Sequence, residues 1–79
     1  MFQNEARYEI HIGGHLDQRW SDWFEGMEVT QAFDQNGSPL TILSGTIVDQ
    51  SALHGILAKI RDIGIPIISV NRIESREEE

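Results

Sequence analysis

The chain contains no cysteine among its 79 residues. A disulfide framework and thiol chemistry are therefore excluded, and a secreted scaffold held together by disulfides is disfavoured. No apolar run approaches the roughly 18 residues of a membrane span, and residues 1–9 lack the basic and then apolar regions of a signal peptide. We therefore expect a cytoplasmic protein that makes no contact with a membrane.

Positive charge is also scarce, since 6 Lys and Arg stand against 13 Asp and Glu, for a formal net charge of −7. Residues 74–79 hold 4 acids and 1 base, so they contribute −3 and the rest of the chain −4. A surface of this sign repels phosphate backbones, and we expect no nucleic-acid partner. Residues 74–79 have nothing to bury and are expected to form a disordered acidic tail.

Catalytic, metal-binding and nucleotide-binding motifs are missing as well. His11 and His15 stand four residues apart on one predicted strand, a separation of about 13 Å at 3.3 Å per residue, so they cannot share a metal ion within one chain. No nucleophile or second titrating group is placed beside His54 by the sequence. We therefore expect no metal, no cofactor and no catalytic residue, and an enzyme is the less favoured interpretation.

What the chain does contain is a strong helical pattern that starts after Val48. Asp49 stands where an N-cap belongs, because its side chain can accept from the free N–H groups of the first turn. We predict a long helix that begins at about Gln50 and ends at Gly64 and Pro66, a left-handed C-cap and a helix breaker. Its apolar residues recur at steps of three and four and must be buried: they are Ala52, Leu53, Ile56, Leu57, Ile60 and Ile63.

Four segments have the character of β-strands. Residues 7–16 alternate apolar and polar side chains, as a half-buried strand does. Residues 27–34 and 40–48 are two further candidates, and the Asn-Gly sequence between them favours a hairpin. Residues 67–73 follow the long helix and are rich in β-branched side chains, which favours a last strand.

A short helix is predicted between the first two strands. Asp17 is its expected N-cap, residues 18–25 form its body and Gly26 ends it. The apolar side chains of this segment gather on one side of such a helix, which predicts that they pack against the core: these are Leu16, Trp20, Trp23 and Phe24.

The order of elements is strand, short helix, strand, strand, long helix, strand, which is the ferredoxin-like βαββαβ plan of the α+β class. Right-handed crossovers place both helices on one face of a four-stranded antiparallel sheet, with the first and third strands in the centre. We expect residues 1–6 to be a flexible lead-in and residues 7–73 to be a single domain. A chain this short buries only about 60% of its unfolded surface, and oligomerisation is a common remedy.

The face of the sheet opposite the helices is the expected partner surface. A two-residue hairpin turn would place Phe33 opposite Leu40, which turns Leu43 and Ile47 away from the helices. The open face then becomes too apolar to remain in contact with water. The residues that we expect to form a dimer or partner surface are His11, Leu43, Ile47, Ile67 and Ile73.

Two segments carry a resemblance, GHLDQRWSDWFEG at residues 14–26 and GTIVDQSALHGILAKIRDIGIPIISVNR at residues 45–72. With their RWxDWFxG and VDQxALHGxL patterns, they resemble a group of small uncharacterised single-domain bacterial proteins. This resemblance implies no activity, cofactor or catalytic residue. The chain is also similar to ACT-type ligand-sensing domains in its element order and in the GIPI sequence before the last strand. Here Asp17 is followed by Gln18, Arg19 and Trp20, whereas those domains usually carry an Asp-x-x-Gly-x-Leu sequence after the first strand.

These patterns lead to three functional hypotheses from different classes. The first is a self-associating interaction module, a homodimer that joins through its open face or an edge strand and that can also bind a protein partner. The second is an ACT-like sensing domain that binds a small molecule between subunits. The third and least favoured is a cofactor-free enzyme of the dimeric α+β barrel type. For the second hypothesis the candidate ligand contacts are His15, Asp17, Trp20 and Trp23.

Overall fold

The computed structural model describes residues 5–73. The predicted tail at residues 74–79 and the first four residues of the predicted lead-in lie outside this range. The elements in chain order are β1 (Ala6–Gly13), a 3₁₀ helix (Gln18–Ser21), β2 (Glu28–Phe33), β3 (Pro39–Ile47), α1 (Gln50–Asp62) and β4 (Ile67–Ile73). The α+β class and the four-stranded antiparallel sheet are confirmed.

The strands lie in the order β2-β3-β1-β4, so β1 and β3 are central and β2 and β4 are the edges. Helix α1 packs on one face of this sheet and buries Leu53, Ile56 and Ile60. The core lies between helix and sheet. It is formed by apolar side chains from β1, β3, α1 and the segment leading into β2, together with Val29: Tyr8, Ile10, Ile12, Phe24, Met27, Val29, Leu43, Ile47, Leu53, Ile56 and Ile60.

The predicted ends of α1 are confirmed by a hydrogen bond at its start and by a backbone angle at its end. The Asp49 carboxylate accepts from the backbone N–H of Ala52 at 2.8 Å, as an N-cap does. At the other end Gly64 has a φ of 77°, in the left-handed region that a glycine adopts without penalty. Lys59 and Arg61 lie in the last turn, where positive charge complements the helix dipole.

The first predicted helix is wrong in type and length. Only Gln18–Ser21 is helical, as a 3₁₀ helix, although Asp17 does cap it by accepting from the N–H of Arg19. An isolated helix of eight residues is marginal without extensive packing. Here the chain instead turns at Glu25 and Gly26, which have φ values of 62° and 81°. One α-helix is therefore present in residues 5–73, not two.

The predicted hairpin register is wrong by one residue. Ala32 lies opposite Leu40 and Val29 opposite Leu43, and the last pair before the loop is Phe33 with Pro39. The loop therefore spans residues 34–38 and is longer than the predicted two-residue turn.

The side chain of Asp34 explains the longer loop. Its carboxylate accepts from the N–H groups of Asn36 and Ser38 at 2.8 and 2.9 Å, which stabilises this five-residue loop in place of a tighter turn. Because side chains alternate along a strand, a shift of one residue relative to β2 moves every side chain of β3 to the opposite face.

Candidate interaction site

The loop after β1 covers the edge strand β2. The Gln18 side-chain amide donates to the Val29 carbonyl oxygen, and the Nε2 atom of His15 lies 3.0 Å from the Ala32 carbonyl oxygen. A carbonyl only accepts, so Nε2 of His15 carries the hydrogen. Gln31 in turn donates to the Leu16 carbonyl at 3.2 Å. These bonds occupy polar groups of β2 and protect this edge of the sheet against pairing with another strand.

The other edge strand, β4, lies at the opposite end of the described sheet. Six of its seven residues are exposed, and beyond it no further strand of the described chain is paired. Of the features that keep edge strands from pairing, β4 lacks proline and lysine and has one charged residue, Arg72, and an irregularity near its start. Its large apolar side chains are between 38% and 55% exposed: they are Ile67, Ile68, Val70 and Ile73.

These apolar side chains lie on both faces of β4. Ile73 is paired with Arg7 and lies on the open face, as predicted from the sequence. Val70 is paired with the fully buried Ile10, yet it remains 40% exposed because α1 covers the central strands and not β4. Exposure on two faces and along one edge identifies β4 as the least protected part of the described sheet.

An irregularity near the start of β4 corrects the predicted position of Ile67. The pairing passes from His11 with Ser69 to Ile12 with Ile67, which omits Ile68. Ile67 therefore lies on the side of the buried Ile12, not on the open face. Ile68 takes the open-face position, where it lines a shallow hollow.

The register places Leu43 and Ile47 in the core, where they are 0% and 4% exposed. Their predicted position on the open face is therefore wrong, because that prediction assumed the two-residue turn. Ile42 and Leu40 lie on the open face in their place, and with His11 they line a hollow of about 530 Å³ near the hairpin end. His11 is half-buried, with Nε2 3.5 Å from a Glu9 carboxylate oxygen. Of the expected partner residues, His11 and Ile73 lie on the open face.

The four candidate ligand contacts do not line a common cavity in the described chain. His15 bonds the backbone of β2, and its ring meets that of Phe33 edge-on at 5.0 Å. Trp20 is half-buried and stacks on Phe24, with ring centroids 6.2 Å apart. Trp23 is exposed, and its ring meets that of Trp20 edge-on at 6.5 Å. A ligand site between subunits near these residues stays a prediction.

Asp17, the fourth of these residues, is engaged with Arg19. A guanidinium nitrogen of Arg19 lies 2.8 Å from the carboxylate. The hydrogen bonds from the Arg19 side chain, and then from its backbone N–H, hold the pKa of Asp17 below its ordinary value. The same pairing raises the pKa of Arg19. Asp17 thus acts as a helix cap and an ion-pair partner.

A hollow that the sequence did not predict lies beside α1, on the flank that faces the start of β2. Its volume is about 420 Å³. Lys59 stands at its rim, with Nζ 2.6 Å from a Glu25 carboxylate oxygen and 2.9 Å from the Trp23 carbonyl oxygen. The Lys59 ammonium also lies 5.3 Å from the centre of the Trp23 ring. The lining residues are Glu25, Met27, Thr46, Ile47, Val48, Ala52, Gly55, Ile56 and Lys59.

One feature of the sequence points to this hollow. Gly55 stands inside α1, where glycine is unfavourable by about 1 kcal/mol relative to alanine. A Cβ atom at this position would meet no atom within 4 Å, so close packing inside the chain does not account for the glycine.

Residues 5–73 contain neither a metal-binding cluster nor a membrane-spanning helix. No group of three or more His, Asp or Glu side chains is placed to hold a metal ion in this part of the chain. None of its helices is long and apolar enough to cross a membrane.

Comparison with known families gives one match. A family model described as "Domain of unknown function (DUF8691)" matches residues 7–71, which is most of the chain. No curated protein and no solved structure matches. The match is consistent with the expected small uncharacterised domain, and its description names no ligand, partner or reaction.

Proposed function

Because the chain belongs to the DUF8691 family, whose description names no activity, we propose its function from the geometry of its surface. We propose that it is a small interaction module that self-associates through β4. The free edge of β4 pairs with β4 of a second copy, and the two sheets continue into one sheet of eight strands. The observation that carries this proposal is the exposure of four large apolar side chains on a strand at the edge of the described sheet.

The contrast between the two edges supports β4 as the contact. The backbone of β2 accepts hydrogen bonds from His15 and Gln18 in the loop after β1, whereas β4 stands at the opposite end of the described sheet with six of its seven residues exposed. Pairing with a second strand offers hydrogen-bond partners to the outward-facing backbone of β4 and removes apolar side chains from water. The small core of a chain this short adds a reason for association.

The sequence of β4 is compatible with antiparallel pairing about a two-fold axis at Val70. In this register Val70 faces Val70 of the second copy, and Ser69 faces Asn71. A two-fold contact uses the same surface on both subunits, so self-complementary pairs are what it requires. Arg72 is the only charged residue of β4. In this register it lies opposite Ile68 of the second copy and away from the second copy's arginine. Like charges therefore do not oppose each other across the axis.

We also propose a ferredoxin-like classification in which the first helix is reduced to a 3₁₀ helix. The order β2-β3-β1-β4, with β1 and β3 central, supports this proposal. The reduced helix leaves α1 as the main cover of the sheet, which accounts for the exposure of Val70.

Sedimentation over a concentration series tests self-association. The wild type is expected to dimerise, and the Val70→Lys substitution is expected to shift it toward monomer, because two ammonium groups would then face each other at the axis. Val48→Lys is the matched control, since Val48 is 62% exposed and lies outside β4. A wild-type monomer at high micromolar concentration would show that the proposal is wrong.

Disulfide formation tests the register. The chain has no native cysteine, so a single Val70→Cys substitution introduces the only thiol. Opposite residues of antiparallel strands have Cα atoms about 4.5 to 5.5 Å apart, within the range of about 4.4 to 6.8 Å that a disulfide spans. We expect covalent dimers from Val70→Cys and far fewer from Val48→Cys. Equal yields from the two variants would contradict pairing at Val70.

A further inference from the structure

We propose that the hollow beside α1 binds a small molecule that has an apolar body and a single carboxylate. The hollow is lined by Met27, Ile47 and Val48 on the sheet side and by Ala52, Gly55 and Lys59 on the helix side. Its volume of about 420 Å³ lies within the range of about 300 to 1,000 Å³ that is typical of small-molecule sites. This site does not involve β4, so the proposal is independent of self-association.

Lys59 supplies the charge that selects the ligand. An ammonium group has three N–H donors. Glu25 and the Trp23 carbonyl accept two of them, and the third has no acceptor among residues 5–73. Lys59 is the only cationic side chain that lines the hollow in the described chain. One free donor on one cation fits a monoanion better than a doubly charged phosphate.

The backbone on both sides of the hollow contains a residue with an unusual conformation or composition. Glu25 is the only residue other than glycine with a positive φ among the described residues, at 62°, and such a conformation is sparsely populated for side chains other than glycine. It places the Glu25 carboxylate beside Lys59 at the rim. On the opposite wall Gly55 leaves open space where any other residue would project a side chain. A glycine allows a ligand to approach the helix backbone closely.

Glu25 and the ligand carboxylate compete for Lys59. The proposal therefore predicts the direction in which the affinity for the acid changes when the Glu25 charge is removed. Removing the Glu25 charge with Glu25→Gln takes away a like charge next to the bound carboxylate. Binding of the acid should therefore become tighter, by severalfold. Binding of a neutral compound with the same apolar body should not change.

Titration of the labelled full-length chain with hydrocinnamate tests the site, with the corresponding primary alcohol and primary amine as matched probes. The readout is the amide chemical shift of Ala52, Gly55 and Lys59. We expect saturable shifts at millimolar concentration, with the acid binding about tenfold more tightly than the alcohol, since one charge-assisted hydrogen bond is worth about that factor. The amine should bind most weakly.

Two variants test the contact with the carboxylate and the occupation of the hollow separately. Lys59→Met keeps a long unbranched side chain without the charge. It should reduce binding of the acid to that of the alcohol or below it, because the Glu25 carboxylate remains at the rim. Gly55→Leu should block all three probes, while an unchanged far-ultraviolet circular dichroism spectrum shows that the variant remains folded. The absence of saturable shifts at these three amides in the wild type would overturn the proposal. So would an amine that binds as tightly as the acid, or an acid whose affinity is unchanged by Lys59→Met.

Discussion

The register of β3 can be tested by truncating two neighbouring side chains, Leu43 and Ile42. Leu43 is fully buried between Ile10 of β1 and Val29 of β2, beneath α1. Ile42 is half-buried on the opposite face, where no helix of the described chain covers the sheet. The two residues are adjacent in sequence and similar in size, so they form a matched pair that differs mainly in the face of the sheet.

The expected magnitudes follow from burial. Leu43→Ala removes a side chain that is 0% exposed, and truncations of this kind destabilise by about 2 to 5 kcal/mol because they lose buried surface and leave a cavity. We expect about 3 kcal/mol for Leu43→Ala and about 1 kcal/mol for Ile42→Ala, whose side chain loses less contact. A chain of this length has a total stability of roughly 4 to 12 kcal/mol. Leu43→Ala should therefore lower the midpoint of thermal unfolding by more than about 10 °C.

Urea unfolding followed by tryptophan fluorescence measures these differences. Both substitutions are best made in a Val70→Lys background, because association through β4 would add a concentration-dependent contribution to the stability. The slope of the free energy of unfolding against urea should be similar in all variants. If Ile42→Ala destabilised the chain more than Leu43→Ala, the register and the assignment of the two faces would both be refuted.

Three further predictions concern single residues. Gly55→Ala should raise the free energy of unfolding by about 1 kcal/mol, because the added Cβ meets no atom within 4 Å; destabilisation in a urea titration would show that the position is crowded. Asp49→Ala should lower it by about 1 kcal/mol by removing the N-cap of α1, whereas Asp49→Ser, which retains an acceptor, should lower it less. Arg19 holds the pKa of Asp17 below its ordinary value of 3.8. The stabilisation that the ionised Asp17 gives to the fold is therefore present above that pH and is lost as the pH falls through the lowered pKa. The stability difference between the wild type and Asp17→Asn should therefore shrink in acid, and urea titrations at neutral and acidic pH that gave the same difference would contradict this.

Local sequence patterns were sufficient for α1 and for the positions of the strands. The Asp49 cap, the apolar stripe and Gly64 act within a few residues of one another, so the ends of α1 could be predicted from the sequence. The alternation along β1 likewise predicted which of its side chains are buried, because that pattern depends only on the pleat of the strand.

The register and the first helix could not be predicted in the same way. The Asn-Gly sequence correctly located the hairpin, but the Asp34 carboxylate closes a five-residue loop, and this shifts Leu43 and Ile47 into the core. The segment after Asp17 has helical spacing of its aromatic residues, yet it forms a 3₁₀ helix because the packing of Phe24 and the turn at Glu25 take precedence over a marginal short helix.

The sequence by itself determined the class of the fold, the long helix, the positions of the strands and the shortage of positive charge, because each of these depends on composition or on residues close together in the chain. Only the tertiary structure decided which residues are available to a partner. The exposure of β4 depends on where α1 lies across the sheet, and the hollow at Lys59 depends on residues from three separate segments. Such arrangements arise from contacts between distant parts of the chain, which no local pattern encodes.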